Sequence, residues 1–195
     1  MTNRRLVIML AVVAMMLGAM APALAGGRDK SGMIDFATGE GVQGHMSIAR
    51  ASDSVDVAAH LRNLNAGHAF TIWAVVWNDP SNCVNGPVGC DESDLGVDDN
   101  VVIWSGIGGV ANGGGNLNGR ATLPAEGGEG PIPGGVTDAE GAEIHFVVQD
   151  HGPASDDSAT LLAQTTTFEG GCGDGAPPTA PPDTCVDVQA AVFLP

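Results

Sequence analysis

Apolar and polar side chains alternate with period two wherever the chain is regular, and no stretch after residue 25 repeats with the roughly 3.6-residue period of a helix. Val42, Gly44, Met46 and Ile48 form one small or apolar face, with Gln43, His45 and Ser47 on the other. From Val55 the apolar set turns odd, through Val57, Ala59 and Leu61, and Asp56, His60 and Arg62 oppose it. Residues 50–53 make the turn between these two strands. Keeping both apolar faces on one side requires paired residue numbers with an odd sum. A turn centred on Ala51 and Ser52 pairs position 45 with Ala58 and makes His60 the diagonal neighbour of His45.

The stretch 69–77 is apolar on both faces, Phe70, Ile72, Ala74 and Val76 on one and Trp73, Val75 and Trp77 on the other, the pattern of a strand covered on both sides. Segments 101–106, 120–123, 142–149, 160–168 and 186–193 bring the count to about eight strands, joined by Gly, Pro, Asn and Asp tracts. Within 142–149, Ile144, Phe146 and Val148 point inward and Glu143, His145 and Gln149 outward. The expected fold is all-β: an antiparallel two-layer β-sandwich with long Gly/Pro/Asp-rich loops. No repeat and no long linker divides the chain after residue 25, so 26–195 reads as one domain with a loose N-terminal lead over 26–40.

Composition agrees with this picture. Of 195 residues 29 are Gly, and 44% are hydrophobic against 15% charged, too apolar for disorder and with a Gly share that fits a turn-rich all-β domain best. The formal charge is −16 and Lys30 is the only lysine, which leaves no basic stripe for DNA, RNA or anionic lipid. Arg4 and Arg5 precede an apolar run over 6–17, and Ala23, Leu24 and Ala25 follow as a signal-peptidase site, so residues 1–25 read as a secretory signal. Removing them takes 2 of the 7 basic and none of the 23 acidic residues, making the charge −18. The mature protein is expected to be secreted or periplasmic, without membrane insertion once the signal is gone, and with a protein or glycan partner that the sequence leaves unidentified.

All four cysteines lie in the exported part, where disulfides persist. Cys83 with Cys90 and Cys172 with Cys185 is the favoured pairing, because each pair brackets a run of turn residues. Zinc is the weaker alternative, since no CxxC occurs.

Several groups carry candidate chemistry, each beside a plainer explanation. Asp91, Glu92, Asp94, Asp98 and Asp99 crowd the 91–99 loop next to Cys90, an oxygen-rich set suited to calcium, though without EF-hand spacing and equally explained as a solvated acidic loop. His45, His60 and His145 all have outward parity and would form a copper or zinc site if their strands share a sheet, while solvated histidines are the alternative. Asp150 next to His151 has the look of an acid-oriented base, yet no nucleophile motif accompanies it and a turn explains both. Gly106, Gly108 and Ala111 match a dinucleotide fingerprint formally, but NGGGNLNGR rather than a helix follows. Trp73, Trp77 and Trp104 serve either as core or as a platform for sugars. No catalytic residue is assigned.

GHAFTIWAVVWNDPSNC, CDESDLG, AEIHFVVQDHGPA and CVDVQAAVF together resemble a family of uncharacterised exported bacterial proteins. Through Gly67 to Phe70 and His151 to Ala154 the chain also resembles chordin-type and copper/zinc superoxide dismutase-like sandwiches, although the dismutases' paired His-x-His ligands are missing. The resemblance implies a secreted domain and carries over no functional residue. The expectation is an exported, non-enzymatic binding or structural module. The alternative is a metal-binding protein using calcium at 91–99 or copper or zinc at the histidines.

Overall fold

The structure, a computed structural model, describes residues 28–84, 89–96, 100–172 and 185–195. Among the described residues there are eight strands: β1 (Asp29–Asp35), β2 (Gly41–Ala51), β3 (Ser54–Leu61), β4 (His68–Trp77), β5 (Asn100–Val110), β6 (Leu117–Leu123), β7 (Glu143–Pro153) and β8 (Val186–Phe193). They form one antiparallel sheet in the order β5-β4-β7-β8-β1-β2-β3-β6, and the two edge strands β5 and β6 come back against each other. The two layers of the sandwich are thus the halves of one nearly closed sheet. A Cβ on Gly119 of β6 would run into the Ile107 side chain of β5, so the edges meet this closely only because residue 119 has none. The face turned inside carries the expected set, including Met46, Ile48, Val57, Leu61, Phe70, Ile72, Ile144, Phe146 and Val148, in one cluster. Both disulfides form as paired from the sequence. They suit an oxidising, extracytoplasmic setting. Among the described residues no helix is long and apolar enough to cross a membrane. The secretory signal expected over 1–25 lies outside the described residues.

Three expectations are corrected. First, the hairpin register is Ala51↔Ser54, with a two-residue turn at Ser52 and Asp53, so His45 pairs with His60 directly. The parity is as expected and the register shifts by two, because the alternation is blind to even shifts and the turn length decides. Second, the lead over 26–40 contains β1, inserted between β8 and β2. Its anchorage is mostly backbone pairing, with Met33 its single fully buried side chain, so it shows little apolar alternation. Third, the strand expected at 160–168 is a helix, α1 (Ser158–Thr166). Asp157 caps it, accepting from the Thr160 N–H at 2.8 Å. Its buried member is Gln164, which accepts from the Ser155 N–H (2.9 Å) and donates to the His151 and Pro153 carbonyls (3.3 and 3.1 Å). A helix moored by an amide has no apolar stripe to read.

Arg50 ties distant parts of the chain together. Its guanidinium donates to the carbonyls of Ala139 and Ala142 (both 2.7 Å) and Leu194 (3.0 Å), with Asp29 Oδ2 at 3.7 Å from Nε.

Candidate functional site

The face of β4 and β7 turned away from the core carries Trp73, Val75 and Trp77 on β4 and Glu143, His145 and Val147 on β7. A solvated sheet face would be polar. This one is walled by two stapled segments. On one side Asp79 caps a short 3-10 turn at Pro80–Asn82, and Cys83–Cys90 closes the loop that follows. The fully buried Asp94 holds that loop by accepting from the Val84 and Asp91 N–H groups (2.7 and 2.9 Å). Trp77 packs on this disulfide. On the other side the chain leaving α1 sets the Phe168 ring edge-on to Trp73, centroids 5.0 Å apart, and Cys172–Cys185 joins it to the start of β8. Between the walls lies a groove of about 190 Å³, lined by the two tryptophans, Phe36, Leu95, Phe168 and the valines, with His145, Asp91 and Asp187 as its polar groups.

A carboxylate stands under this groove. Glu143 is only 1% exposed despite its outward parity, because the disulfide loop covers it. Its Oε1 accepts from the Cys90 N–H at 2.8 Å and meets His145 Nε2 at 2.6 Å. With the ring's Nε2 proton directed at Glu143, Nδ1 is left as an acceptor with no partner among the described residues. Burial pushes the His145 pKa below its ordinary value, against the hydrogen bond and charge of Glu143, which raise it. At pH 7 the ring is neutral. Trp77 meets it edge-on at 4.7 Å, and the Trp77 N–H is buried with no acceptor among the described residues.

His151 is buried and structural. Its Nδ1 donates to the Gly170 carbonyl (2.7 Å), so Nε2 accepts from the Thr71 hydroxyl (2.7 Å), whose oxygen in turn accepts from the Trp73 N–H (2.9 Å). Every polar atom of that chain is satisfied. Asp150 does not orient His151. It accepts instead from His68 Nδ1 (2.9 Å), Asn65 (2.9 Å) and the Gly152 N–H (2.8 Å), so the neighbouring acid and base of the sequence serve separate networks.

Burial also pushes the His151 pKa down, against a raising hydrogen bond to Gly170. For both rings the folded-state value lies below the unfolded value of about 6.5, so the unfolded chain takes up protons first. Their contribution to stability is complete above about pH 6.5 and is lost as pH falls from there towards the folded-state values. Urea melts from pH 8 to pH 5 should show wild-type stability falling more steeply below about pH 6.5 than that of the His145→Gln, His151→Gln double variant. Equal slopes would show that neither ring is held neutral.

The remaining sequence candidates are dispersed. Asp91 Oδ1 accepts from the Ser93 N–H and hydroxyl (2.8 and 2.6 Å), so the carboxylates of Asp91 and Asp94 both brace their own loop, while Asp98 and Asp99 lie outside the described residues and the Glu92 side chain is not described. His45 and His60 face each other with ring centroids 4.8 Å apart, and His60 Nδ1 bonds Asn118 Oδ1 at 3.0 Å. His145 is not with them: β8 and β1 intervene, a separation of about 14 Å at ordinary strand spacing. The described residues add no third His, Cys, Asp or Glu donor to the pair. Burial first, then the charge of Lys30, lowers the His45 pKa. The glycines at 106 and 108 lie within β5, with no helix to hold a pyrophosphate. Trp73 and Trp77 are buried as a core strand requires, but on the outer face under the walls.

Glu143, Phe168, Phe36 and Leu95 were not singled out by the sequence reading. Only Glu143 left a trace there, an outward carboxylate two residues from an outward histidine. Comparison of the chain with models of protein families, with curated proteins and with solved structures finds no match, so its function has to be read from the residues themselves.

Proposed function

We propose that the chain is an exported binding module, secreted or periplasmic, whose outer-face groove takes a small, neutral, apolar molecule carrying one hydrogen-bond donor. The observation that carries this reading is the groove itself: indole and valine side chains on a sheet face, walled by two disulfide-anchored segments, with an unengaged ring nitrogen of His145 beside them. At about 190 Å³ the space is below the roughly 300–1,000 Å³ of drug-sized sites, which fits an occupant of one or two rings. Asp91 and Asp187 in its lining, with a chain charge of −16, turn anions away. Walls held by covalent bridges lose little freedom when a ligand arrives, so more of the apolar burial is left for affinity.

The test is calorimetric titration with 2-naphthol, whose hydroxyl would donate to His145 Nδ1. A Kd between about 10 μM and 1 mM is expected. Naphthalene-2-sulfonate, the same rings with a negative charge, should bind at least about tenfold more weakly. Val147→Glu should abolish 2-naphthol binding while the thermal melt stays cooperative. No saturable binding, or binding that survives Val147→Glu, overturns the reading.

A further inference from the structure

A second depression opens on the far side of Phe168, and its lining differs from that of the groove. This cleft, of about 560 Å³, lies between the end of α1 and residues 129–131, and Trp73 and Phe168 form a wall common to both spaces. Trp104 on β5 stands opposite Trp73 on β4, both on the outer face. The segment 129–132 runs along β5, held by Trp104 N–H to Glu129 O (2.8 Å) and Val102 N–H to Ile132 O (2.9 Å). Glu129 and Trp104 both line the cleft on this side, and Glu169 follows α1 on the other.

The hydrogen-bonding inventory of the cleft is lopsided. Both glutamates are exposed, and among the described residues no side chain pairs with either carboxylate. The Thr166 and Thr167 hydroxyl protons go to the Leu162 and Ala163 carbonyls (2.7 and 2.9 Å), so their oxygens face a ligand as acceptors. Among the side chains of the described residues lining the cleft, the remaining donors are the two indoles. The Trp73 N–H is taken by Thr71, whereas the Trp104 N–H is buried with no acceptor among the described residues.

We infer that this cleft binds a neutral saccharide. A pyranose presents what the lining lacks: several hydroxyl donors for the two carboxylates and threonine oxygens, hydroxyl oxygens for the Trp104 N–H, and a face of C–H bonds to lie on the Trp104 ring. A carboxylate acceptor makes each sugar hydroxyl bond a charge-assisted one. Anionic sugars are excluded by the same two glutamates. A quaternary ammonium suits the rings and the carboxylates but has no acceptor for the indole N–H. The volume accommodates one or two sugar units. The site goes beyond the groove reading and stands or falls without it.

Calorimetry with cellobiose, maltose and mannobiose tests the inference, with tetramethylammonium chloride and glucuronic acid as controls. At least one disaccharide should bind with a Kd of about 1 mM or tighter, and neither control should bind comparably. Glu129→Gln and Glu169→Gln, both at exposed positions and without consequence for folding, should each weaken that disaccharide about tenfold. Trp104→Leu should remove its binding. Glu129→Gln should leave the 2-naphthol affinity unchanged, which separates failure here from failure of the groove. Absence of disaccharide binding overturns the inference. So does tetramethylammonium binding in its place, or disaccharide binding indifferent to Glu129→Gln.

Discussion

Glu143→Ala is expected to lower the free energy of unfolding by about 3 kcal/mol, with a visible loss of order at 89–96. The side chain is buried and its Oε1 receives both the Cys90 N–H and the His145 ring proton. Truncation strands one buried amide and one buried imidazole proton, at about 1–3 kcal/mol each, and leaves a hole under Trp77. Glu143→Gln keeps an acceptor of the same shape and should cost less than half as much. Glu143→Ala also removes both influences that raise the His145 pKa and Glu143→Gln removes the charge alone, so the ring should titrate lower in both variants, and lowest in the alanine one. Urea melts and histidine proton NMR measure the two effects. A Glu143→Ala cost below about 1 kcal/mol would mean that the disulfide alone positions the loop.

Gly108→Val is expected to cost about 3 kcal/mol and to disturb the tryptophan environment at the same time. A Cβ on residue 108 would collide with the Thr165 carbonyl oxygen, which comes from the last turn of α1. Because the obstacle is backbone, no rotamer change relieves it. The helix end must lift from β5, and Phe168 must leave Trp73. Near-ultraviolet circular dichroism should register that movement, and urea melts the stability. Gly113→Ala, in a turn where a Cβ meets nothing within 4 Å, is the control and should stay within about 0.5 kcal/mol of wild type. A silent Gly108→Val would show that α1 does not rest on β5.

These two positions mark where the sequence could and could not be read. Period-two alternation identified the faces of β2, β3, β4 and β7, because burying one side of a strand imposes a local rule on every second residue. The cysteine pairing was legible for the same reason: each bridge closes a loop contained in a short stretch. Glu143 obeys the alternation and still ends buried, since a loop more than fifty residues earlier comes to lie on it. Gly108 was read for a phosphate-binding pattern. What demands a glycine there is a helix carbonyl, and that helix was itself concealed by its amide mooring at Gln164 and by the β-branched threonines at 165–167. The groove is built from such non-local coverings. Its floor was visible in the apolar outer face of β4, and its walls were not.

The place of β1 has a consequence for the order in which the molecule assembles. Among the described residues the first strand, β1, pairs with the last, β8, Ile34 with Ala190, and Arg50 grips Asp29 at one end and the Leu194 carbonyl at the other. Local hairpins such as β2–β3 can zip early, but the seam between β1 and β8 waits for residues about 155 positions apart to meet, a slow kind of contact to make. A chain delivered from its N-terminus therefore holds the β1 edge unsatisfied until β8 arrives, and during that interval the edge is open to any other unpaired strand nearby.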